Sequence, residues 1–461
     1  MKKFEEIATH FIKLVQQGGF EPGEKLPTHR ELAYEFNCSI GTATRAYAEL
    51  ERRGYCYGRI GQGTFVYGTP GDEKAIGRGA FFPEESWSEG VHGVTDLSKN
   101  SFFHTETEDR LRDAAQRLLK RNEPETYFSY SDSRGRPHDR EVAASWLSSL
   151  IRYVDLDNII LTQGAQSGLY LAMATLAKPG EVIATEAFGY PGIRAAAYEQ
   201  DLRIAPVAMD GDGLIPGAFA DICRRGTVRM LITVPTNHNP TGVTQPQSRR
   251  EEIIHIARRH GVIIVEDSAY APLHSHRIPA YYDLAPEMTL YLATFSKVMS
   301  PALRFGYMIA PENLMPRLAT KMTTINWMTS PIIRDMTNFL IQSGQVAAQA
   351  RLLIADCTRR EQSAREILGP WLASPPTAAG SPLAHLWLRL PEGQEMSGFV
   401  AAARRENIIV VAGDTFAMSK SVHAHHIRIC LMAEPQEGRL LRALERLATL
   451  LSQKNPPIMV T

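Results

Sequence analysis

The sequence predicts a multidomain protein, with an N-terminal winged helix-turn-helix and a larger α/β domain that ends in a smaller C-terminal α+β lobe. Three observations support this prediction. The first 68 residues contain three helical periodicities and then a short Gly-rich hairpin pattern. A stretch rich in Gly, Pro and charge follows, and from residue 95 onward apolar runs alternate with helical stretches. Such alternation indicates a mainly parallel sheet covered by helices on both faces.

The composition is that of an ordinary globular protein. The 461 residues are 44% hydrophobic and 22% charged, and the net charge is zero, so the whole chain carries no basic signal for nucleic acid. The five cysteines are widely spaced and form no CxxC pair, which argues against a disulfide framework or a zinc site. The N-terminus has no apolar signal-peptide core, and no apolar run approaches the ~20 residues that cross a bilayer. We therefore expect a cytoplasmic protein without a membrane partner.

The change in composition after Tyr67 places the domain boundaries. We predict a winged helix-turn-helix over residues 1–68, a linker over 69–94, and a large domain over 95–461 whose small lobe begins at about residue 331. The strands predicted for the large domain and its lobe are NIILTQG (158–164), EVIATEA (181–187), VRMLITVP (228–235), GVIIVEDSAY (261–270), AHLWLRL (384–390), NIIVVAG (407–413) and HIRICLM (426–432).

The N-terminal module has helical patterns at about 4–18, 28–36 and 40–53. In the third helix, the apolar positions that we expect to face the core are Ile40, Ala43, Tyr47 and Leu50. The opposite face then presents short polar side chains that suit the major groove. The residues predicted to contact DNA are Arg30, Ser39, Thr42, Thr44, Arg45 and Gly63. Residues 1–68 hold nine Lys/Arg and eight Asp/Glu, so their charge does not show whether the module binds DNA. A helical protein-interaction module is the alternative.

Two segments of this module, LPTHRELAYEFNCSIGTATRAYAELERRGY and GQGTFV, resemble the GntR class of bacterial DNA-binding domains. The resemblance covers nearly the whole module and implies DNA binding. Members of the class commonly carry arginine near the start of the third helix, where this chain has Ile40, and some carry it at the position of Thr44. The resemblance therefore does not carry over the DNA sequence that is recognised.

One lysine of the large domain, Lys297, lies in the segment YLATFSKVMSPALRFGY (291–307) among small, aromatic and apolar neighbours. A solvated surface lysine is the simplest interpretation of a single lysine. Other residues along the chain, however, are those that a pyridoxal phosphate site requires. Such a site needs a lysine, a carboxylate against the ring nitrogen, donors to the ring oxygen and a place for a phosphate.

Each of these requirements has a candidate. Tyr270 and Asn239 are the candidate donors to the ring oxygen, although a core tyrosine and a simple turn at Asn-Pro-Thr-Gly are the alternatives. Asp267 ends the strand GVIIVED at the sheet edge where ligands bind in such folds, although a capping aspartate is the simpler interpretation of this residue taken alone. QGAQSG (163–168) is a strand-to-helix turn whose backbone N–H groups suit a phosphate. Tyr190 is a candidate to stack on a ring, and Arg428 to hold a carboxylate with two hydrogen bonds. Ordinary packing, or a solvent-facing strand arginine, would explain these two residues equally well.

The order of these residues, and above all the motif S-K-x-x-x-P-x-L-R-x-G-Y around Lys297, resembles fold-type I pyridoxal-phosphate enzymes of the aspartate aminotransferase superfamily over residues 95–455. The resemblance implies a Schiff base at Lys297 and a carboxylate-binding role for Arg428. It implies that Tyr130 reaches the phosphate of another subunit, and hence a head-to-tail homodimer. The other residues that it implies for cofactor binding are Gly164, Ala165, Gln166, Tyr190, Asn239, Asp267, Tyr270, Thr294, Ser296 and Arg304.

A winged helix joined to an aminotransferase-like domain resembles the MocR-type subgroup of GntR regulators. This resemblance implies a transcriptional regulator that binds an operator in double-stranded DNA and senses pyridoxal 5′-phosphate or an amine or amino-acid effector. The alternative is a working aminotransferase, because every residue needed for half-transamination is present. A cofactor-free scaffold would lack the lysine or the aspartate, and both are present. Residues 1–68, which no catalytic step requires, favour the regulator.

Overall fold

The computed structural model divides into two units, Met1–Ala80 and Phe81–Thr461. The structure describes residues 3–16, 19–20, 24–53, 55–59, 63–66, 93–102, 104–120, 129–275, 278–376 and 380–453. Almost all of the predicted linker, residues 69–92, lies outside the described residues, as do residues 61 and 62 in the predicted hairpin turn.

The described residues of the N-terminal unit form three helices and a two-stranded antiparallel sheet: α1 (Lys3–Gln16), α2 (His29–Glu35), α3 (Ile40–Arg52), β1 (Cys56–Arg59) and β2 (Gly63–Val66). Thr28 and Glu31 form the capping box that begins α2, in which the Thr28 backbone N–H donates to Glu31 Oε2 at 2.7 Å. The helices enclose a small core that includes Ile7, Phe11, Leu32, Tyr47 and Leu50. This arrangement is the winged helix-turn-helix that the sequence predicts.

One expectation for α3 is wrong. Ala43, Tyr47 and Leu50 are buried as predicted, but Ile40 is 53% exposed. Ile40 is the first residue of the helix, next to the N-cap Ser39. Helical spacing assigns a residue to a face of a helix, but it does not show how far along the helix the neighbouring core extends. The buried face of α3 therefore begins one turn after Ile40.

The large unit is built on a seven-stranded sheet with the order β4-β12-β11-β10-β9-β5-β6. The strands and helices before residue 331, in chain order, are β3 (Thr95–Asp96), α4 (Thr105–Lys120), α5 (Pro137–Leu147), β4 (Ile159–Thr162), α6 (Ala165–Leu176), β5 (Val182–Glu186), α7 (Pro191–Glu199), β6 (Arg203–Val207), β7 (Met209–Asp210), β8 (Gly213–Leu214), α8 (Pro216–Arg225), β9 (Val228–Thr233), α9 (Gln247–His260), β10 (Ile263–Asp267), α10 (Tyr281–Leu284), β11 (Thr289–Thr294), β12 (Gly306–Ile309) and α11 (Met315–Asn326).

Helices cover both faces of the sheet, and β11 shows why. Leu290 and Leu292 pack with α6 and α11 on one face, whereas Tyr291 and Ala293 pack with α5 on the other. Successive residues of a strand point to opposite faces, so a strand buried on both sides is continuously apolar. The sheet is mainly parallel, as predicted, but β12 runs antiparallel to both of its neighbours.

The remaining elements include those of the smaller lobe. They are α12 (Pro331–Gln342), α13 (Gln345–Leu368), β13 (His385–Arg389), α14 (Met396–Arg405), β14 (Ile408–Ile409), β15 (Val411–Ala412), β16 (His426–Cys430) and α15 (Glu437–Ser452). Its three-stranded sheet has the order β13-β16-β15, and β3 pairs with β14. Leu340 and Val346 belong to the core of the large sheet, whereas Ala364 and Leu368 belong to the core of the lobe. The lobe therefore begins within α13, later than the expected residue 331.

Candidate functional site

A cavity of about 600 Å³ lies where the carboxyl ends of the sheet strands face the lobe. The residues predicted from sequence that line it are Ala165, Gln166, Tyr190, Asn239, Asp267, Tyr270, Thr294, Ser296, Lys297, Arg304 and Arg428. Gly164 borders the same place, since a Cβ built on it would lie 3.4 Å from Arg304 Nη2. The fold thus brings together residues that are up to 264 positions apart in the chain.

Lys297 follows β11 and lines this cavity, so it is not the solvated surface lysine that its sequence context also allowed. Its Nζ donates to the Asn100 carbonyl oxygen at 2.6 Å and lies 5.9 Å from the centre of the Tyr270 ring. Burial lowers the pKa of Lys297 to about 8, because a protonated amine loses hydration there. Lys297 therefore holds a substantial fraction of neutral, nucleophilic amine near neutral pH.

Asp267 is buried at the end of β10, where the Ala269 backbone N–H donates to its Oδ1 at 3.1 Å. Burial raises the pKa of Asp267 to about 6, and the positive charge of Lys297 opposes this shift. A buried carboxylate in this position is stabilised by a cationic partner. The protonated nitrogen of an aromatic heterocycle would be such a partner.

Hydrogen-bond donors converge at the N-terminus of α6. Gly164, with φ of +82°, turns the chain from β4 into this helix. Thr294 Oγ1 and Ser296 Oγ are 3.1 Å apart, and Arg304 Nη2 donates to the Gln163 carbonyl oxygen at 3.3 Å. Free backbone N–H groups, two hydroxyls and a guanidinium around one helix N-terminus form a suitable site for a phosphate.

The side chain of Gln166 contributes differently from the neighbouring donors. Its Nε2 donates to the Gly192 carbonyl oxygen at 3.0 Å, so the amide links α6 to the start of α7. Gln166 Oε1 is buried and has no hydrogen-bond partner among the described residues. Tyr190 is at the N-cap of α7 and lines the cavity, and burial raises the pKa of its hydroxyl to about 12.

Arg428 is buried on β16 rather than facing solvent. Its Nη1 donates to Asn239 Oδ1 at 3.1 Å, and its Nη2 donates to the Ser98 carbonyl oxygen. The guanidinium carbon lies 4.8 Å from the centre of the Phe416 ring. Arg428 Nε is buried and has no hydrogen-bond partner among the described residues. The arginine is thus a cation at the cavity wall, held between the lobe and the large sheet domain.

Sequence reasoning missed the segment Ser98–Ser101, which lines the cavity after β3 and contacts Lys297, Tyr270 and Arg428. Besides the contacts of its carbonyl oxygens with Arg428 and Lys297, the Asn100 side-chain Nδ2 donates to Tyr270 Oη at 2.6 Å. LSKNS contains no motif that would have identified it. The only signal is the cluster of small polar residues after a short strand, which is common in loops.

Tyr130 lies outside the cavity, 79% exposed, with its ring centre 5.2 Å from that of Trp327. Trp327 is itself 55% exposed, and Ile325 and Ile332 nearby in the chain are also exposed. These four residues, Tyr130, Ile325, Trp327 and Ile332, are here called the apolar patch. Exposed aromatic and branched side chains of this size are typical of protein interfaces.

The predicted DNA contacts of the N-terminal unit are all at its surface or at the start of α3. Arg30, Ser39, Thr44, Arg45 and Gly63 are exposed, whereas Thr42 is half-buried. Ser39 Oγ accepts from the Thr42 backbone N–H at 3.2 Å and is 2.9 Å from Thr42 Oγ1. Gly63 has φ of +116°, which favours glycine in this turn.

Comparison with known proteins agrees with this architecture. The aminotransferase class I and II family model matches residues 92–447, and the model of the bacterial regulatory proteins of the gntR family matches residues 3–66. The chain is 23% identical to YdeF of Bacillus subtilis, an HTH-type transcriptional regulator, over 97% of this chain and 94% of that protein. It is 26% identical to PdxR of Corynebacterium glutamicum, an HTH-type pyridoxine biosynthesis transcriptional regulator, over 79% and 78%.

Among solved structures, LysN of Thermus thermophilus, an alpha-aminoadipate aminotransferase complexed with N-(5'-phosphopyridoxyl)-L-leucine, superposes with a TM-score of 0.71. The match covers 82% of this chain and 97% of LysN at 23% identity, which supports the fold alone. Among the described residues, no helix combines the length and apolar character needed to cross a membrane. The chain therefore belongs to the aminotransferase class I and II family and, with its gntR-family domain, is a DNA-binding regulator of the MocR type.

Proposed function

We propose that the aminotransferase-like domain binds pyridoxal 5′-phosphate together with an amine or amino-acid effector, and that this binding controls the occupancy of operator DNA. The observation that carries the proposal is the convergence of Lys297, Asp267 and Arg428 on one cavity, in a chain that also contains a winged helix. Lys297 supplies a reactive amine, Asp267 a buried carboxylate, and Arg428 a cation that can bind a carboxylate.

The residues around the cavity fit pyridoxal phosphate. The donors at the start of α6, with Thr294, Ser296 and Arg304, would hold the phosphate, and Asp267 would pair with the protonated ring nitrogen. Tyr270 and Asn239 would donate to the ring oxygen, and Lys297 Nζ would hold the aldehyde carbon. The bound cofactor supplies an electron-accepting ring in conjugation with an amine.

The effector would be an amine that carries a carboxylate. Arg428 offers a guanidinium whose planar donors match a carboxylate, and Asn239 beside it adds an amide. Arg428 belongs to β16 of the lobe, whereas Asn239 follows β9 of the large sheet. A carboxylate held by both residues would join the lobe to the sheet domain, so effector binding would bias the position of the lobe.

We also infer that the protein acts as a homodimer through the apolar patch. Tyr130, the residue whose family counterpart reaches the phosphate of another subunit, is among the most exposed aromatic side chains of the described residues. A second copy covering the patch would bury Tyr130 and Trp327 together. Two winged helices in one dimer would bind paired sites in the operator.

A working aminotransferase is the second candidate function. The lowered pKa of Lys297 favours it, because a lysine that is partly neutral near pH 7 can accept a proton from a substrate carbon and return it. The same property serves reversible amine exchange in a sensor. The two functions therefore differ in turnover and in DNA binding, and not in this residue.

The test begins with the cofactor. The protein incubated with pyridoxal phosphate is reduced with borohydride, digested and mapped by mass spectrometry, with Lys297→Ala as the control. The expected result is a phosphopyridoxyl mass on the peptide that contains Lys297 and on no other peptide. Label spread over surface lysines, unchanged in the variant, would refute the cofactor assignment.

The second arm separates the regulator from the enzyme. Fragments of genomic DNA are captured by the full chain and sequenced, with Thr42→Ala and Arg45→Ala as variants. Discrete enriched sites that both variants weaken support the regulator. No enriched site, together with many turnovers of amino acid per chain, would support the aminotransferase. Amines are then screened by the spectral change of the bound cofactor.

A further inference from the structure

The exposed face of α3 in the N-terminal unit is more apolar than its sequence suggested. Ile40, the first residue of the helix, is 53% exposed, and Thr44 and Ala48 follow it at one and two turns and are also exposed. Residues four apart lie on one face of a helix, so these three side chains form a stripe. The core side of α3 consists of Ala43, Ala46, Tyr47 and Leu50, and the stripe is not part of it.

The hydroxyl groups near this stripe are used within the helix. Thr44 Oγ1 donates to the Ile40 carbonyl oxygen at 3.0 Å, so its hydroxyl hydrogen is engaged. Ser39 and Thr42 bond to each other in the cap at 2.9 Å. The face that begins the helix therefore offers an isoleucine and two methyl groups, rather than the short polar donors expected from the sequence.

Arg45, which follows Thr44 in the chain, is an exposed cation of the same helix. An acid four residues after an arginine is a common partner in a helix, but Glu49 is taken by Arg52 at 2.7 Å and Arg53 at 2.6 Å. Among the described residues Arg45 therefore has no acidic partner, and its exposed guanidinium is available to a base or a phosphate.

We propose that Ile40, with Thr44 and Ala48, reads the 5-methyl groups of thymine in the major groove, and that Arg45 is the polar reader of the same helix. This specificity rests on the DNA-binding function of the gntR-type domain. Thymine is the base that presents a methyl group in the major groove, and apolar side chains recognise it there. The first turn of a recognition helix is the part that meets the base edges.

The experiment changes only those methyl groups. Binding sites are selected with the full chain from a random duplex library, and the enriched sequences are remade with deoxyuridine in place of thymidine. The expected result is a loss of about fourfold in affinity for each contacted methyl group. Equal affinity for the thymidine and deoxyuridine duplexes would overturn the proposal.

Variants assign the effect to the stripe. Ile40→Ala should bring the affinity ratio of thymidine to deoxyuridine duplexes towards one, and Thr44→Ser should lower it partly. Arg45→Ala should weaken both duplexes equally and leave the ratio unchanged. A ratio that is the same in Ile40→Ala and in the unsubstituted chain would contradict the assignment, because the methyl effect would then come from DNA shape.

Two further measurements distinguish a failure of this proposal from a failure to fold or to bind DNA. Ile40 is exposed, so the melting temperature of Ile40→Ala should equal that of the unsubstituted chain, and a lower value would itself contradict an exposed reading role. If the selection enriches no sequence, the DNA-binding function fails and this proposal fails with it. If it enriches sequences whose affinity ignores the methyl groups, the proposal alone fails.

Discussion

The amine of Lys297 should titrate far below an ordinary lysine in the protein freed of cofactor. Burial at the cavity lowers its pKa to about 8, and Arg428 and Arg304 act in the same direction, whereas Asp267 opposes the shift. At about pH 7.4 an amine with this pKa is about one-fifth neutral, whereas an ordinary lysine is neutral about once in a thousand molecules. The reactive fraction of Lys297 is therefore about 200-fold larger.

Competitive labelling with trace acetic anhydride measures this fraction at each pH, since only the neutral amine reacts. The peptide that contains exposed Lys420 serves as the reference in the same digest. Labelling of Lys297 should rise through about pH 8 and then level off, as expected for the lowered pKa. Arg428→Met should move the midpoint up, because it removes a repelling charge, and Asp267→Asn should move it down.

The labelling midpoint of Lys297 should shift in opposite directions in these two variants, as a charge effect requires. Both remove one charge from the same cavity wall, so a general loosening of the site would shift both midpoints in the same direction. A midpoint for Lys297 near that of an unperturbed lysine, about pH 10.4, would refute the assignment of this amine to a dry site. The covalent role proposed for Lys297 would then lose its physical basis.

Three further predictions test the scaffold and the effector site. Burial raises the pKa of Glu186 to about 7, so its contribution to stability is present below its unfolded pKa and is lost as pH rises through 7. Glu186→Gln should therefore raise the free energy of unfolding by up to about 3 kcal/mol at pH 8 and change it little at pH 5, by urea titration. Half-buried Glu181→Gln, the control, should show no such difference between pH 6 and 8. Gly306→Ala places a Cβ against the Ala293 carbonyl oxygen and 3.2 Å from Gly164 Cα, so it should cost about 1–3 kcal/mol of stability and weaken retention of pyridoxal phosphate. Gly217→Ala, in open space on α8, should do neither. Arg428→Lys should weaken an amino-acid effector about 10-fold or more and leave an amine without a carboxylate nearly unchanged, as measured by spectral titration; equal losses for both ligands would contradict the carboxylate-binding role.

The two-domain fold and half of the residues that line the cavity were predictable because their signals are local. Strands buried on both faces are continuous apolar runs, and the residues around Lys297 form a dense motif within 17 positions. Ser98 and Asn100 were not predictable in this way. Their contacts cross 330 and 197 positions of the chain, and the packing of the lobe alone brings them to Arg428 and Lys297.

Other errors have equally physical causes. Helical periodicity predicted that Ile40 lies on the inner face of α3. Ile40 is the first residue of the helix, however, and the core does not extend that far along it. The antiparallel direction of β12 depends on the turn that follows Lys297, where Arg304 has a left-handed backbone with φ of +44°. A sequence pattern gives the spacing of side chains, whereas the direction of a short strand depends on the turn before it.

The charge of the N-terminal unit bears on the proposed control of DNA binding by an effector in the cavity of the large unit. Residues 1–68 carry a net charge of only +1, and Arg52 and Arg53 are already paired with Glu49. Non-specific affinity for DNA comes mainly from phosphate contacts, so one such unit alone would bind weakly and depend on base contacts. Two units in the proposed homodimer would gain affinity of about 10²- to 10⁴-fold when both half-sites are engaged, and would lose it when the geometry forbids this. An effector that repositions the lobe through Arg428 then needs no direct contact with DNA, because a dimer that can place only one unit at a time loses most of its affinity.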